Sequence, residues 1–229
     1  MPPRTPDVVI WCAVTLAALA LGWGVWHRLL PIGWLELAGV ITGVVCVILA
    51  VRQQIWNFPW GIASNLCLAV LFFHQHLYGS VGIQVIFLML GIHGWVLWGR
   101  KTEQPFNVRH AKPRELAVLA LLGIPIAYGF FRYFQWLHDP APLPDAVTMV
   151  LCLAAQYQLN LKRVESWAIG MVADAIYIGM FLWQGLYLVT GLYAFYFIMC
   201  LLGYLQWRRW AQQSAAECPA TMPQTPAGV

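Results

Sequence analysis

The chain has 229 residues, of which 61% are apolar and only 10% charged. Ordinary soluble domains carry about 45–50% apolar and about 25% charged residues. A mean hydropathy of +0.67 leaves more apolar surface than a globule of this size hides from water. The composition excludes a soluble enzyme and a disordered chain. A net charge of +4 is too small and too scattered for a nucleic-acid footprint, so no nucleic-acid partner is expected. What remains is an all-α polytopic membrane protein, solvated by the lipid bilayer over most of its length.

A membrane-spanning helix takes about 20 mostly apolar residues. Eight stretches meet that measure: 8–26, 34–51, 57–76, 78–98, 115–135, 144–161, 166–184 and 186–207. The first has Arg4 before it and an Ala18-Leu19-Ala20 step within it, as a secretory leader would. Its apolar run continues to Trp26, longer than a leader's core, so a retained helix is expected. The longest polar connector runs from Gly99 to Arg114. After Ala211 the chain turns to Gln, Ser, Pro and Thr and is expected to be disordered. The organisation read from this is an extra N-terminal helix (1–33), a three-helix unit (34–98), a loop and linker helix (99–142), a second three-helix unit (143–207) and a tail (208–229). Cys12, Cys46, Cys67, Cys152 and Cys200 fall inside apolar runs and read as small buried hydrophobes, not as a disulfide framework.

Charge orients the bundle. With the N-terminus and every loop after an even-numbered segment on one side, that side holds 11 of the 13 Lys and Arg, leaving Arg28 and Arg132 opposite. The positive-inside rule places both termini and the 99–114 loop in the cytoplasm.

Sliding the chain against itself by 109 residues gives an ungapped register. Gly61 falls on Gly170, Phe72 on Phe181, Gln75 on Gln184, and Leu77-Tyr78 on Leu186-Tyr187. Gly82 falls on Gly191, Gly94 on Gly203, Trp98 on Trp207 and Arg100 on Arg209, and Glu36 coincides with Asp145. The repeat unit is three helices. An odd number of crossings ends on the opposite side, so a second copy in the same orientation needs one more crossing, which the fifth segment supplies. The expected architecture is two parallel three-helix repeats joined by a linker helix, with one helix added in front. Parallel duplicates of this kind commonly enclose a site near the bilayer midplane.

An Asp at mid-span costs about 2.5–3.5 kcal/mol to insert and is a functional candidate by default. Asp174 is such a residue, and its repeat partner is Asn65. Trp167, Gly170 and Asp174 are spaced i, i+3, i+7 and share a helix face, as do Phe58, Gly61 and Asn65. An aromatic plate, a gap and a polar anchor on one stripe suit a flat ring; helix packing through small residues is the competing reading. Gln84, its repeat partner Tyr193, Gln156 and Trp60 complete the candidate substrate-binding set, each with interhelical hydrogen bonding or packing as the alternative. Trp98, Trp207 and Trp210 read most simply as interface anchors. His74 and His76 read as groups at an outer turn and His93 as a lone histidine. No His, Cys and carboxylate group has ligand spacing, so no metal site or cofactor is expected. The chain has no phosphate-binding loop, no H-E-x-x-H and no G-x-S-x-G, so no enzymatic activity and no catalytic residues are expected.

The segments Trp60-Gly61-Ile62, Leu77-Tyr78, Gln84, Gly94-Trp95 and Trp98 resemble the Pnu vitamin transporters, which are related to the SWEET and SemiSWEET sugar transporters. So do Glu165-Ser166-Trp167 through Asp174, then Gly185-Leu186-Tyr187, Gly203 and Trp207. The resemblance covers 34–209 and is nearest the nicotinamide riboside branch. It implies a 3+1+3 layout, facilitated uptake of a small-molecule vitamin precursor across the bacterial inner membrane, trapping by a cytoplasmic kinase, and a homotrimer. That branch carries W-x-x-W-x-x-x-N in the seventh span, where this chain has Trp167, Gly170 and Asp174. Gly170 opens space for a bulkier ring, and Asp174 favours a cation, as nicotinamide riboside and thiamine both are. Neutral riboflavin gains least. Thiamine therefore remains an alternative, with riboflavin behind it, and a membrane scaffold or assembly factor is the alternative of another class.

Overall fold

The computed structural model describes residues 33–74, 78–100, 108–138 and 140–217, together with Trp23, Trp26, His27 and His76. Among them it contains seven helices and no strand: α1 (Trp34–Val51), α2 (Asn57–His74), α3 (Tyr78–Gly99), α4 (Pro113–Trp136), α5 (Pro142–Asn160), α6 (Glu165–Trp183) and α7 (Tyr187–Glu217). They correspond to the second through eighth predicted segments. The first segment, apart from Trp23 and Trp26, lies outside the described residues, as do Gln75 and Leu77. Five of the seven (α1, α3, α4, α6 and α7) are long and apolar enough to cross a membrane. The other two, α2 and α5, carry more polar residues, among them Asn65 in α2 and Gln156 and Asn160 in α5.

Pro113 and Pro142 each stand at the first helical turn, where the missing N–H costs nothing. The helix ends repeat with the sequence register. Gln53 (φ 54) and Lys162 (φ 53), 109 residues apart, are left-handed. At each, the paired C-terminal bonds of a Schellman turn form, Gln53 N–H to Ala50 and Gln54 N–H to Leu49, and Lys162 N–H to Leu159 and Arg163 N–H to Gln158. His76 (φ 60) and Gly185 (φ 73) form the next equivalent pair. The following helix starts also match. Asn57 Nδ2 donates to the Gln54 carbonyl at 2.6 Å, and Ser166 Oγ to the Arg163 carbonyl at 2.8 Å.

Packing follows the same equivalence. Helix α2 lies between α1 and α3, and α6 between α5 and α7, while α3 meets α5 and α1 meets α7 across the middle. Helix α4 packs on α5, joined to it and to α3 by the cluster of Ile83, Phe134 and Ala146. The rest of α4 presents Leu121, Leu122, Ile124 and Tyr128 outward, as a lipid-facing helix does.

Two expectations change. The last helix does not stop at 207 but runs to Glu217. Residues 208–217 are rich in Arg, Gln and Ala, all favourable in helices, and Ala211 anchors the extension by burying itself with Val51, Val164 and Trp207. Trp98 and Trp207 are not interface anchors. The Trp98 indole N–H donates to the Asn160 carbonyl and the Trp207 indole N–H to the Val51 carbonyl, each at 3.0 Å. Val51 and Asn160 close the first helices of the two units, where carbonyls lack intrahelical partners. Trp207 is fully buried, and Trp210 is partly buried on the same cluster.

The bundle end that carries Arg52, Arg109, Lys112, Lys162 and Arg163 is closed by a short strap. Residues Arg109 and Arg163 pair as a parallel bridge, through Arg109 N–H to Lys162 and Val164 N–H to the Arg109 carbonyl. Glu165 accepts from the Ala111 N–H at 2.6 Å and contacts His110 Nδ1 at 2.8 Å. Arg163 reaches Glu115 at 2.8 Å. Val108 is thereby seated in the cluster of Val51, Val164, Trp167 and Trp207. Lys162 Nζ lies over the Trp98 ring, 4.7 Å from its centroid.

Candidate functional site

A cavity of about 460 Å³ opens between the two three-helix units, with walls from α1, α2, α3, α5, α6 and α7. Seven of the eight sequence-predicted residues line it: Trp167, Gly170 and Asp174 from α6, Asn65 from α2, Gln84 from α3, Gln156 from α5 and Tyr193 from α7. Trp60 does not. It is 42% exposed, because it stands one residue, about 100° of helix rotation, from Gly61 and so faces away from the other unit. The first-repeat stripe also differs from the second. Gly61 and Asn65 line the cavity, but Phe58 is buried edge-on against Trp98, ring centroids 5.0 Å apart.

The Trp167 indole is 5% exposed and meets Trp207 edge to face at 5.4 Å. The Gly203 backbone lies against its ring: a Cβ there would overlap the indole. Gly94 holds the equivalent place on Phe58. The Trp167 Nε1–H is buried and has no hydrogen-bond partner among the described residues. Gly170, one turn on, faces Cys200, whose Sγ lies 3.0 Å from where a Cβ would stand. Its gap is therefore partly filled by sulfur.

Asp174 is buried, and its Oδ2 accepts from Cys200 Sγ at 3.4 Å. Among the described residues no Lys, Arg or His lines the cavity. Asp174 is thus the only Asp or Glu among the described lining residues, and its charged form is costly there without a cation beside it. Beyond it lies an aromatic group. Tyr177 stacks on Phe181 at 5.7 Å and meets Tyr193 at 4.5 Å, and Tyr193 meets Tyr196 at 5.9 Å. On the first unit Ser64, which also lines the cavity, donates its Oγ–H to the Gly39 carbonyl at 2.8 Å.

Tyr177, Tyr196, Cys152, Cys200 and Ser64 also line the site, and the sequence alone does not single them out. Tyr177 is the nearest to legible, since it extends the stripe of Trp167, Gly170 and Asp174 by one more helical step. Cys46, Cys152 and Cys200 are partly buried lining groups, not core filler. His93 is accounted for by Asn160, whose Nδ2 lies 3.3 Å from its Nδ1. The ensemble of plate, carboxylate, amides and phenols is suited to holding a ligand by stacking, charge and hydrogen bonds.

These features define a helical membrane protein with a polar-lined cavity between two equivalent three-helix units. Residues 33–209 match the family model described as nicotinamide mononucleotide transporter, and the chain belongs to that family. It is similar to the nicotinamide riboside transporter PnuC of Escherichia coli (strain K12), with 27% identity over 204 residues, 77% of this chain and 85% of the relative. It is also similar to the riboflavin/roseoflavin transporter RibM of Streptomyces davaonensis, with 28% identity over 184 residues, 76% of this chain and 84% of the relative. The fold matches the crystal structure of the vitamin B3 transporter PnuC with a TM-score of 0.64 and 22% identity, over 86% of this chain and 90% of that one.

Proposed function

We propose that the protein takes up nicotinamide riboside across the bacterial inner membrane by facilitated diffusion, with a cytoplasmic kinase trapping the product. Trp167 stacks on the pyridinium ring and Asp174 balances its charge. Asn65, Gln84, Gln156 and Tyr193 bond the carboxamide and ribose, and Gly170 gives the space that Cys200 leaves open beside Trp167. The reading rests chiefly on one observation, the buried Asp174 in a cavity that no described Lys, Arg or His lines. Family membership supports it. Eight spans arranged 3+1+3 behind an extra first helix, a homotrimer, and the basic end in the cytoplasm complete the proposal. One three-helix unit rocking against the other then alternates access.

Thiamine is the second reading. It too is a cationic flat ring, and the absence of a second plate at Gly170 favours its larger ring system. The similarity to RibM keeps riboflavin in the comparison, although a neutral flavin gains nothing from Asp174. Vesicles containing the protein, with and without a trapping kinase, distinguish them: labelled nicotinamide riboside accumulates, thiamine less and riboflavin least. Transport of none above protein-free vesicles overturns the proposal. A scaffold role predicts that truncation after Ala211 abolishes function, whereas a transporter tolerates it.

A further inference from the structure

Asn160 is fully buried at the end of α5, and its amide has fixed polarity. Nδ2 donates to the Leu90 carbonyl of α3 at 2.8 Å and lies 3.3 Å from His93 Nδ1, which accepts in its Nε2-protonated tautomer. Both amide hydrogens are then in use. Oδ1 is left as acceptor, and it receives Gln156 Nε2 at 3.1 Å. A carbonyl of the α3 backbone cannot reverse its role, so the chain from Leu90 through Asn160 to Gln156 has one direction. Gln156 lines the cavity, and with Nε2 held by Asn160 its carbonyl oxygen Oε1 is the acceptor left for a ligand.

Gln156 stands about one turn before the end of α5, and Trp167 and Gly170 stand in the first turns of α6. The two helices are adjacent and antiparallel, so these residues share a depth. A ring at the Trp167 plate therefore lies at the depth of Gln156.

We propose that Asn160 is a positioning residue that locks Gln156 with its carbonyl toward the cavity, so that the site selects flat cationic ligands carrying an N–H donor on the ring. This rests on the functional reading above and adds the polarity of one contact and the residue that sets it. The matching position of the first unit, Val51, has no side-chain amide, so the relay belongs to the second unit only.

The test compares vesicle counterflow of nicotinamide riboside with that of its methyl-ketone analogue (3-acetylpyridine riboside), which keeps the acceptor and lacks the donor. The wild type is expected to prefer the carboxamide by about three- to tenfold in apparent KM, the worth of one hydrogen bond. Asn160→Ala frees Gln156 to turn over, and the ratio falls toward one. Equal loss for both ligands with the ratio kept overturns the proposal, since a packing residue acts that way. If Asn160→Ala carries neither ligand, Gln156→Leu decides: a ratio near one supports the proposal and a retained preference overturns it. A wild type that does not transport nicotinamide riboside overturns the functional reading and this inference together, whereas transport without preference overturns this inference alone.

Discussion

Trp98 and Trp207 are exchanged partners. Each donates its indole N–H to the carbonyl that ends the first helix of the other unit, and their rings lie 6.1 Å apart. The two bonds cross at the basic end of the bundle and tie the units together there. Trp98→Phe and Trp207→Phe keep the ring and remove the donor. Each is expected to cost about 1–3 kcal/mol by leaving a buried carbonyl unpaired. Thermal unfolding in detergent checks this, with the larger drop for Trp207, the more deeply buried of the two. No change in either variant removes the bonds from the account.

Gly203 and Gly94 let a helix backbone lie directly on an aromatic ring, of Trp167 and Phe58 respectively. Gly203→Ala should destabilise by about 1–3 kcal/mol through overpacking and should weaken uptake by displacing Trp167. Gly82 has open space where a Cβ would stand, so Gly82→Ala is the expected neutral control. Equal melting temperatures for Gly203→Ala and Gly82→Ala would refute the close approach.

How far the sequence makes this legible depends on the kind of contact. Segment 34–51 coincides with α1 because apolar length alone defines a span. The offset of 109 already pairs Trp98 with Trp207, but the carbonyls they reach belong to backbone, which leaves no residue signature. Trp60 falls outside the site because adjacent positions on a helix look alike in a sequence and differ by about 100° in space. The stripe of Trp167, Gly170 and Asp174 is readable because periodicity encodes a face. Asn160, by contrast, sits at a helix end where a polar residue looks like loop chemistry. The helical stretch 208–217 escapes a sequence reading since its composition resembles a soluble tail, and the burial of Ala211 with Trp210 beside it shows where it docks.

Trp60 and Trp167 make a paired control. Trp167→Ala should raise the apparent KM for nicotinamide riboside by about tenfold, the loss of a buried stacking plate. Trp60→Ala should leave it unchanged, since that ring points outward. Initial-rate uptake into vesicles measures both. A larger effect at Trp60 than at Trp167 would contradict the placement of the site.

Glu165 holds the strap of residues 108–112 through Ala111 and His110. Glu165→Gln keeps one acceptor and removes the charge. Limited proteolysis should then cut within residues 108–112 several times faster. Unchanged cleavage would show that Val108, buried with Trp207, anchors the strap by itself.

The most direct test is the affinity of Asp174→Asn for nicotinamide riboside, measured by counterflow in vesicles at constant pH and salt. Asparagine keeps the size and hydrogen-bonding capacity and removes the charge. Apparent KM is expected to rise by about tenfold or more, a partly desolvated charge contact being worth at least about 1.4 kcal/mol, while melting temperature is unchanged or higher. An unchanged KM, with stability lowered instead, would contradict it and leave Asp174 as a helix-packing residue.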